Sequence, residues 1–394
     1  MAVHSIQLTK IKTSDVVALT YRRTAIQAKQ TRLWGRYTLK PDISLDEFQT
    51  SAVIDWLDVT FEILANTQAR WINDHLLNQV GHSISIRERK AEQFSRFTAR
   101  FQQPRMKMVN ECLSAIDAEY HLVASPNISG IEISIDFKPK IANDDARARM
   151  LAVLTRHLLP GRDVLTNELD RPRFSWGRGK EKSEVVLSDS CEDPVDYANL
   201  FTSGDNSPFV DATFYFGSEK YGCLWRIMDK VIDQQNIITG TKKVLTEEEK
   251  RVRVEVSLGE KEVRRLGITT MKDLRNFSFN KLQKEFFAFY LPTFALTDVI
   301  SSTRQKVVKE TRSQERIKKF LKTGVVGLSA MDEAWARQRS SKRKAMQSIL
   351  KGRGVLMSRD RAGKGIHSTF TAYPELNKRI DTALRHLTEK VGGQ

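Results

Sequence analysis

Cysteine is scarce in this chain of 394 residues, which contains only Cys112, Cys191 and Cys223. The three are widely separated and none belongs to a C-x-x-C pair, so neither a disulfide framework nor a thiolate zinc site is expected. This composition is typical of a reducing compartment, and we expect a cytoplasmic protein. No stretch approaches the roughly 20 apolar residues of a membrane span, and residues 1–15 lack the apolar core of a signal peptide. The sequence therefore predicts no membrane partner.

Acidic residues are too few to balance the basic ones, and the formal net charge is +16. The excess is concentrated at one end, since residues 301–394 carry 22 Lys and Arg against eight Asp and Glu. Residues 51–300 carry 34 basic and 36 acidic residues. A nearly neutral body with a basic tail predicts a polyanionic partner, above all DNA. A tail that is merely solvated is the alternative, and an anionic membrane is disfavoured because the tail lacks a strongly apolar face.

The densest basic segment, residues 335–353, contains seven Lys and Arg. Five of them are the candidate DNA contacts of the tail: Arg337, Arg339, Lys342, Arg343 and Lys344. Each neutralised phosphate releases counterions, so five contacts predict a slope of about −4.5 for log K against log[salt].

The order of apolar patterns indicates an α+β fold. We expect a curved, mainly antiparallel sheet flanked by helices, with a helical basic C-terminal extension. The chain divides into a helical N-terminal segment over residues 1–50, a central domain over 51–300 and the extension over 301–394. Helices are predicted over 14–30 and 271–290, and two more over 303–322 and 329–351, separated by Gly324 to Gly327.

Two predicted strands carry carboxylates on an otherwise polar face. Glu132 and Asp136 alternate with isoleucines in residues 131–137, and Glu255 follows Arg253 in residues 251–258. An open face of a half-buried antiparallel sheet is normally polar, so a purely structural role is the alternative. Hard oxygen ligands of this kind also suit Mg²⁺ or Mn²⁺, and nucleic acid would add phosphate oxygens to the same ion. Together with the basic tail, this pattern favours phosphodiester chemistry.

Tyr215 is the candidate nucleophile, because it lies in a predicted strand directly before a Gly-Ser turn. If it shares a polar face with Thr213, Phe214 and Phe216 enter the core. A phenol with a pKa near 10 needs a metal or a cation to draw charge from the phosphate. Tyr221, in the loop of the same predicted hairpin, is the second candidate, and a packed strand tyrosine is the structural alternative.

In their order and spacing, several of these strings resemble the rolling-circle replication initiators of small plasmids, conjugative relaxases and the nickases of filamentous phages. The strings are D-W-L-D-V-T-F, S-G-I-E-I-S-I-D-F, T-F-Y-F-G-S, L-W-R-I-M-D-K and R-V-E-V-S-L-G. Three family motifs match here: the acidic-x-x-x-acidic strand at Glu132 and Asp136, T-x-Y-x-G-S around Tyr215, and R-x-E at Arg253 and Glu255. The resemblance covers residues 52–290.

The resemblance implies an enzyme that nicks one DNA strand at an origin and keeps it as a 5′-phosphotyrosyl link, with a free 3′-hydroxyl. Glu132, Asp136 and Glu255 would hold Mg²⁺ or Mn²⁺, Arg253 would hold a phosphate or a carboxylate, and Tyr215 would be the nucleophile. Single- and double-stranded origin DNA would be the partner, followed by a host helicase and polymerase. A second copy of the chain, in a homodimer, is a further partner that the sequence allows.

The sequence departs from the family where a Y-x-K string is expected, since Met228, Asp229 and Lys230 stand there. Lys230 keeps its place as a catalytic candidate, whereas the tyrosine is missing, which leaves Tyr215, Tyr221 or an inactive copy. A non-catalytic DNA-binding initiator or regulator on the same fold is therefore the main alternative, and an unrelated basic structural or RNA-binding protein is a third. No G-x-x-x-x-G-K-[ST] loop occurs, which excludes an ATP-driven helicase, and no His-hydrophobe-His pair occurs, which excludes histidine-based nickases.

Overall fold

The computed structural model describes residues 3–11, 16–26, 33–81, 84–88, 95–176, 183–187, 204–233, 243–296, 303–353 and 370–393. The strands of this part of the chain are β1 (Val3–Thr9), β2 (Val16–Ala25), β3 (Arg36–Pro41), β4 (Phe48–Glu62), β5 (Ser85–Glu88), β6 (Arg96–Gln102), β7 (Asn127–Pro139), β8 (Arg173–Ser175), β9 (Ser183–Val185), β10 (Thr213–Ser218), β11 (Cys223–Lys230), β12 (Ile232–Asp233), β13 (Lys243–Val244), β14 (Arg251–Gly259), β15 (Tyr290–Ala295) and β16 (Phe370–Ala372). The helices are α1 (Ala69–Val80), α2 (Met106–Tyr120), α3 (Asp144–His157), α4 (Glu260–Arg265), α5 (Met271–Asn276), α6 (Gln283–Phe286), α7 (Thr303–Gly352) and α8 (Pro374–Gly392).

These elements confirm the predicted α+β class. Nine strands form the larger sheet in the order β5-β6-β4-β7-β14-β11-β10-β8-β9, and five form a second sheet in the order β1-β2-β3-β15-β16. Their registers are antiparallel throughout. The strands β12 and β13 pair separately. None of the helices in the described ranges is long and apolar enough to cross a bilayer.

Helix α3 lies between the two sheets. Asn143 caps its first turn by accepting a hydrogen bond from the Ala146 amide at 2.8 Å. From Ala146 to His157 nearly every residue is buried, because α3 packs against β7, β11 and β14 on one side and against β1 and β2 on the other. The apolar face of the large sheet, including Ile133, Ile135 and Val254, is therefore buried under helices, and its polar face points away from α3.

The prediction of a helical segment over residues 1–50 is wrong. The described part of this region forms β1, β2 and β3, and β2 occupies the middle of the segment assigned to a helix over 14–30. In β2, Val17, Leu19 and Tyr21 are buried while their neighbours Val16 and Ala18 are exposed. That alternation has period two, and it is stabilised by pairing with β1 on one side and β3 on the other. Strand β3 in turn pairs with β15, far along the chain.

The helix predicted over 271–290 is broken. A capping box between Thr270 and Asp273 starts α5, which ends at Asn276. A 3-10 turn at Phe279–Leu282 and the short α6 follow, and residue 290 already belongs to β15. Buried phenylalanines follow one another at spacings that fit no single helical face: Phe277, Phe279, Phe286, Phe287 and Phe289. Burying all of them requires the chain to turn.

Candidate active site

A row of side chains crosses the polar face of the large sheet at one level. Arg173 of β8 lies opposite Tyr215 of β10, Tyr215 opposite Arg226 of β11, and Arg226 opposite Glu255 of β14. Glu255 in turn lies opposite Ser134 of β7. We call these five residues the central row. Since neighbouring strands are about 4.8 Å apart, the backbones at Tyr215 and Glu255 lie about 10 Å from each other.

Three carboxylates meet at one end of the central row. Asp55, Glu132 and Glu255 each offer an oxygen atom, and these atoms lie within 4.8 Å of one another. Glu132 and Glu255 are buried, and Asp55 is half-buried. We call this group the carboxylate triad. Glu132 and Glu255 belong to the ligands predicted from the sequence, whereas Asp55 was missed.

Asp55 reaches the polar face because β4 contains a β-bulge. The register to β7 shifts between Ile54 and Trp56, which leaves Asp55 as an extra residue. Two consecutive side chains, Asp55 and Trp56, then come to the polar face instead of alternating. The imperfect alternation of residues 52–63 was the signal in the sequence, since a regular strand would have placed these two on opposite faces.

Two arginines neutralise much of this charge. The Arg226 guanidinium donates a hydrogen bond to Glu132, and its Nε lies 2.8 Å from Glu255 Oε2. The Nε contact lacks the alignment of a hydrogen bond, so it is an ion pair only. The Arg253 Nη1 donates to Asp55 at 2.8 Å and lies 3.5 Å from Glu255 Oε1.

Asp136 lies outside the carboxylate triad. Arg253 donates to its two oxygens at 2.6 and 2.8 Å, and Arg251 contributes an ion pair at 3.1 Å. Asp136 therefore fixes the orientation of Arg253, which is itself 1% exposed. The resemblance implies that Arg253 holds either a phosphate or a carboxylate. In the structure it binds carboxylates.

The environment of Glu255 disfavours its charged form. Burial raises the pKa of Glu255 to about 7, the Arg226 guanidinium opposes that shift, and the neighbouring Glu132 adds to it. A buried carboxylate whose pKa is raised by burial and by neighbouring carboxylates is stabilised in its charged form by a nearby cation.

Ser134 provides a further observation at the carboxylate triad. Its side chain is fully buried, and its Oγ has no hydrogen-bond partner among the described residues. Ser134 lies between Glu132 and Asp136 on β7 and opposite Glu255. Buried hydroxyls are normally satisfied, and three carboxylates with a free hydroxyl form a set of oxygen donors. The residues present therefore fit a hard divalent cation.

Tyr215 lies on the polar face as predicted, since Phe214 and Phe216 are buried on the other side of β10. Its ring is half-buried, and the Arg173 guanidinium carbon lies 5.4 Å from the ring centroid. Gly217 adopts a φ of +69°, and a Cβ atom there would meet the Cys223 carbonyl oxygen at 2.4 Å. The Gly217 carbonyl accepts a hydrogen bond from Arg173 at 3.1 Å. The glycine of this motif thus helps to position the arginine beside Tyr215.

The other catalytic candidates lie off the central row. Tyr221 is 45% exposed in the turn Glu219–Tyr221, with the Lys220 amine 5.6 Å from its ring centroid. Lys230 pairs with Asp233 at 3.2 Å. It lies four residues beyond Arg226 on β11, which is about 13 Å along the strand.

All five DNA-contact candidates of the tail lie on the second half of α7. Lys344 is exposed. The side chains of Arg337, Arg339, Lys342 and Arg343 lie outside the described part of the structure. The predicted interruption of the helix is confirmed, because Gly324 has non-helical dihedral angles inside α7.

No protein-family model, curated protein or solved structure matches the chain.

Proposed function

We propose that this protein is a replication initiator that nicks one strand of DNA by metal-dependent transfer to a tyrosine. The observation that supports this best is the central row, because it aligns a tyrosine, an arginine and the carboxylate triad across neighbouring strands. The backbones of Tyr215 and Glu255 are about 10 Å apart, and Arg226 lies between them. A phosphodiester group that reaches Tyr215 would thus also lie beside a guanidinium.

In the proposed reaction, the Tyr215 Oη atom attacks the phosphorus of the scissile phosphodiester. The bond between phosphorus and the 3′ oxygen breaks, and the 3′ oxygen keeps the electron pair. It takes up one proton, which balances the proton that the phenol loses, and becomes a free hydroxyl. The 5′ phosphate stays bound to the tyrosine. When a 3′-hydroxyl later attacks that phosphate, the bond between phosphorus and the tyrosine oxygen breaks, the tyrosine oxygen takes up the proton that the hydroxyl loses, and the DNA phosphodiester is restored.

The charged side chains have separate tasks in this scheme. Arg226 lies next to Tyr215 in register, where its guanidinium reaches the non-bridging oxygens of a phosphate. Asp55, Glu132, Glu255 and Ser134 would hold the divalent ion, whose positive charge withdraws electron density from the phosphate. Asp136 acts through Arg253, by keeping the latter beside Asp55.

Burial of the carboxylate triad strengthens these interactions. Glu132 and Glu255 side chains are only 1% and 5% exposed, whereas the Arg226 side chain is 29% exposed. Charges in such a water-poor site interact more strongly than at the surface. The more exposed Arg226 marks the side from which a DNA strand would approach.

A DNA-binding protein that keeps the fold without the chemistry is the second candidate. Met228 stands where the related families have a tyrosine, and Arg226 and Arg253 already neutralise the carboxylates. Such a protein would bind DNA through the basic part of α7 and leave it intact.

A nicking assay tests the proposal. The full-length protein is mixed with supercoiled plasmid that carries DNA from around its own gene, with Mg²⁺ or Mn²⁺, and the products are separated in denaturing detergent. We expect a nicked strand linked to protein. Tyr215→Phe should reduce its formation by at least about 1,000-fold, because the nucleophile is lost, and EDTA should have the same effect.

Tyr221→Phe is the matched control. It also removes one phenolic hydroxyl, but from the exposed turn, and it should leave nicking unchanged. Loss of nicking in Tyr221→Phe, with activity retained in Tyr215→Phe, would move the nucleophile to the turn. Absence of nicking by the unaltered protein, with salt-sensitive DNA binding intact, would favour the second candidate.

A further inference from the structure

A small cavity opens on the same face of the large sheet as the central row, at the C-terminal end of β4. Its volume is about 170 Å³. It is lined by Thr60, Arg96, Asn127, Ile128, Ser129, Glu260, Arg264 and Thr269. None of them belongs to the central row or to the carboxylate triad.

A second β-bulge builds this cavity. The register between β4 and β7 shifts again after Asp58, and Ser129 is the extra residue. As a result Asn127 lies opposite Thr60, and Ser129 accepts a hydrogen bond from the Thr60 hydroxyl at 2.8 Å. Ile128 alone turns into the core, where it is 2% exposed. The bulge therefore shifts the alternation of β7, so that Asn127 and Ser129, two residues apart, both face the cavity.

The base of the cavity is formed by hydroxyl groups. Thr60 is 5% exposed, and its Oγ1 lies 2.9 Å from Thr98 Oγ1 as well as bonding Ser129. Hydroxyl groups can donate to or accept from a ligand by rotating their hydrogen. Within the base, the Thr60 hydroxyl donates to Ser129 and the Ser129 hydroxyl donates to the Asp58 carbonyl at 3.4 Å. An anion in the cavity would therefore be met from below by rotation of these hydroxyls.

The rim of the cavity carries a surplus of positive charge. Arg264 is paired with Glu260 at 2.6 Å, and these two charges cancel. The guanidinium of Arg96 and the amide of Asn127 have no hydrogen-bond or ionic partner in the part of the chain that the structure describes. Within the described ranges, Arg96 is therefore the rim cation that no carboxylate neutralises, and its guanidinium and the Asn127 amide face the same small space.

The size of the cavity selects between ligands. A drug-sized or nucleoside-sized molecule needs a pocket of about 300 Å³ or more. A phosphate group with its nearest water molecules fits into the observed volume, since one water occupies about 30 Å³ of liquid. Guanidinium groups beside hydroxyls are a common arrangement for phosphate oxygens.

The cavity lies on a direct path from the carboxylate triad. Thr60 follows Trp56 by four residues on β4, and Trp56 is the register partner of Glu132. The separation along the strand is thus about 13 Å, a span that a few nucleotides cross. Trp56 lies on this path, with the Arg100 guanidinium carbon 3.9 Å from its ring centroid. An aromatic ring and a guanidinium plane are surfaces on which bases stack.

We propose that this cavity binds a backbone phosphate of the DNA strand that enters the active site, a few nucleotides from the cut. This proposal rests on the proposed nickase function. Arg96 and Arg264 contact the phosphate from the rim, the hydroxyls of Thr60 and Ser129 contact it from below, and the Trp56–Arg100 pair supports a base in between. The subsite thereby fixes the register of the strand relative to Tyr215.

The test uses the full-length protein and a single-stranded oligonucleotide that contains the mapped nick site. Each phosphate near the cut is replaced in turn by an uncharged methylphosphonate, and affinity is measured by fluorescence anisotropy. We expect one position outside the scissile phosphate at which the replacement weakens binding. In the double variant Arg96→Gln/Arg264→Gln, the same replacement should have no further effect.

Salt dependence gives a second readout. Each lost phosphate contact reduces the slope of log K against log[salt] by about 0.7 for single strands. The double variant loses the one proposed contact, so its slope should fall by about 0.7. Arg70→Gln is the matched control, because Arg70 is an exposed arginine on α1 that lines no part of the cavity. It should bind as the unaltered protein does.

The outcomes separate the two proposals. If the unaltered protein neither nicks nor binds the oligonucleotide, the proposed function fails, and the subsite fails with it. If nicking is intact but the double variant shows the same slope and the same methylphosphonate profile, only the subsite is overturned. If inorganic phosphate stabilises the unaltered protein against heat while the methylphosphonate profile is flat, the cavity binds free phosphate and not DNA, which also overturns it.

Discussion

Asp55 and Ser129 each occupy the extra position of a β-bulge, and that position decides where their side chains point. In a regular strand the direction follows from the period of two. A bulge reverses the alternation beyond it, and no residue type identifies it with certainty. This is why Glu132, Glu255 and Tyr215 could be placed on one face from the sequence, whereas Asp55 and Ser129 could not.

His157 is a buried histidine that the proposed chemistry does not use. Its Nδ1 donates to the Tyr290 carbonyl at 2.6 Å, and its ring packs against Tyr21, Phe320 and Tyr373. Burial lowers the pKa of His157 to about 4, and the neighbouring Arg156 adds to this shift. The folded protein therefore holds the neutral imidazole, which an unfolded chain would protonate below about pH 6.5.

This shift predicts a loss of stability in mild acid. Because the unfolded state binds the proton more readily, the contribution of neutral His157 is complete above pH 6.5 and disappears as the pH falls towards 4. The full effect is about 3 kcal/mol. About 2 kcal/mol of it is lost by pH 5, which lies about 1.5 units below the unfolded pKa. Denaturant unfolding at pH 5 and pH 7 measures this loss, and His157→Asn, which keeps a donor for the Tyr290 carbonyl, should lose less stability between the two values. An equal loss in both proteins would contradict this assignment.

At the scale of elements, helix α7 shows how one glycine lets a helix cross a packed interior. Around the break, Ile317, Phe320, Val325 and Leu328 are all buried. Gly324 has φ of 71° and ψ of −165°, a region that only glycine occupies readily. A Cβ atom at Gly324 would lie 2.6 Å from the Arg156 Cα atom. The break therefore lets α7 approach the backbone of α3.

Gly324→Ala should destabilise the protein by at least about 3 kcal/mol, because backbone strain and a backbone clash add together. Gly81→Ala is the matched control. Gly81 also has a positive φ, of 73°, but a Cβ atom there meets nothing within 4 Å, so only about 1 kcal/mol should be lost. Denaturant unfolding of both variants checks this, and equal losses would show that the contact with Arg156 is unimportant.

The success of sequence-based prediction also varied by element. The strand over 131–137 was confirmed, because its alternating pattern depends on neighbours in the chain. The segment 14–30 was misassigned as a helix. Its middle forms a strand that pairs with β3, and β3 pairs in turn with β15, a contact that no pattern of neighbouring residues could indicate. The break at Gly324 to Gly327 was predicted correctly from glycine alone.

At the scale of the whole molecule, both ends of the chain complete one sheet. Strands β1, β2 and β3 come from the N-terminal region, whereas β16 comes from the C-terminal region. Helix α8 follows β16 and buries apolar side chains against β4 and its neighbours. These are Leu376, Ile380, Leu384 and Leu387. The basic C-terminal region is thus attached to the body by buried residues of α7 and again by β16 and α8.

Removal of residues 370–394 should therefore unfold more than the tail. Four buried leucine or isoleucine side chains contribute about 1.5 to 3 kcal/mol each, which together is comparable to the total stability of a typical domain. Hydrogen exchange of the β7 amides measures the effect, and we expect their protection to be lost. Lys378→Ala, an exposed change on α8, should leave it unchanged. Retained protection in the truncated chain would show that the large sheet folds alone.

The pairing of β3 with β15 also has a consequence for synthesis. Arg36 donates hydrogen bonds to Thr293, a residue 257 positions later in the chain. At about 5 to 20 residues per second, a ribosome needs roughly 13 to 50 seconds to make that partner. During this time the open edge of β3 can pair with other nascent strands, so production of this protein depends on whatever shields that edge until translation is complete.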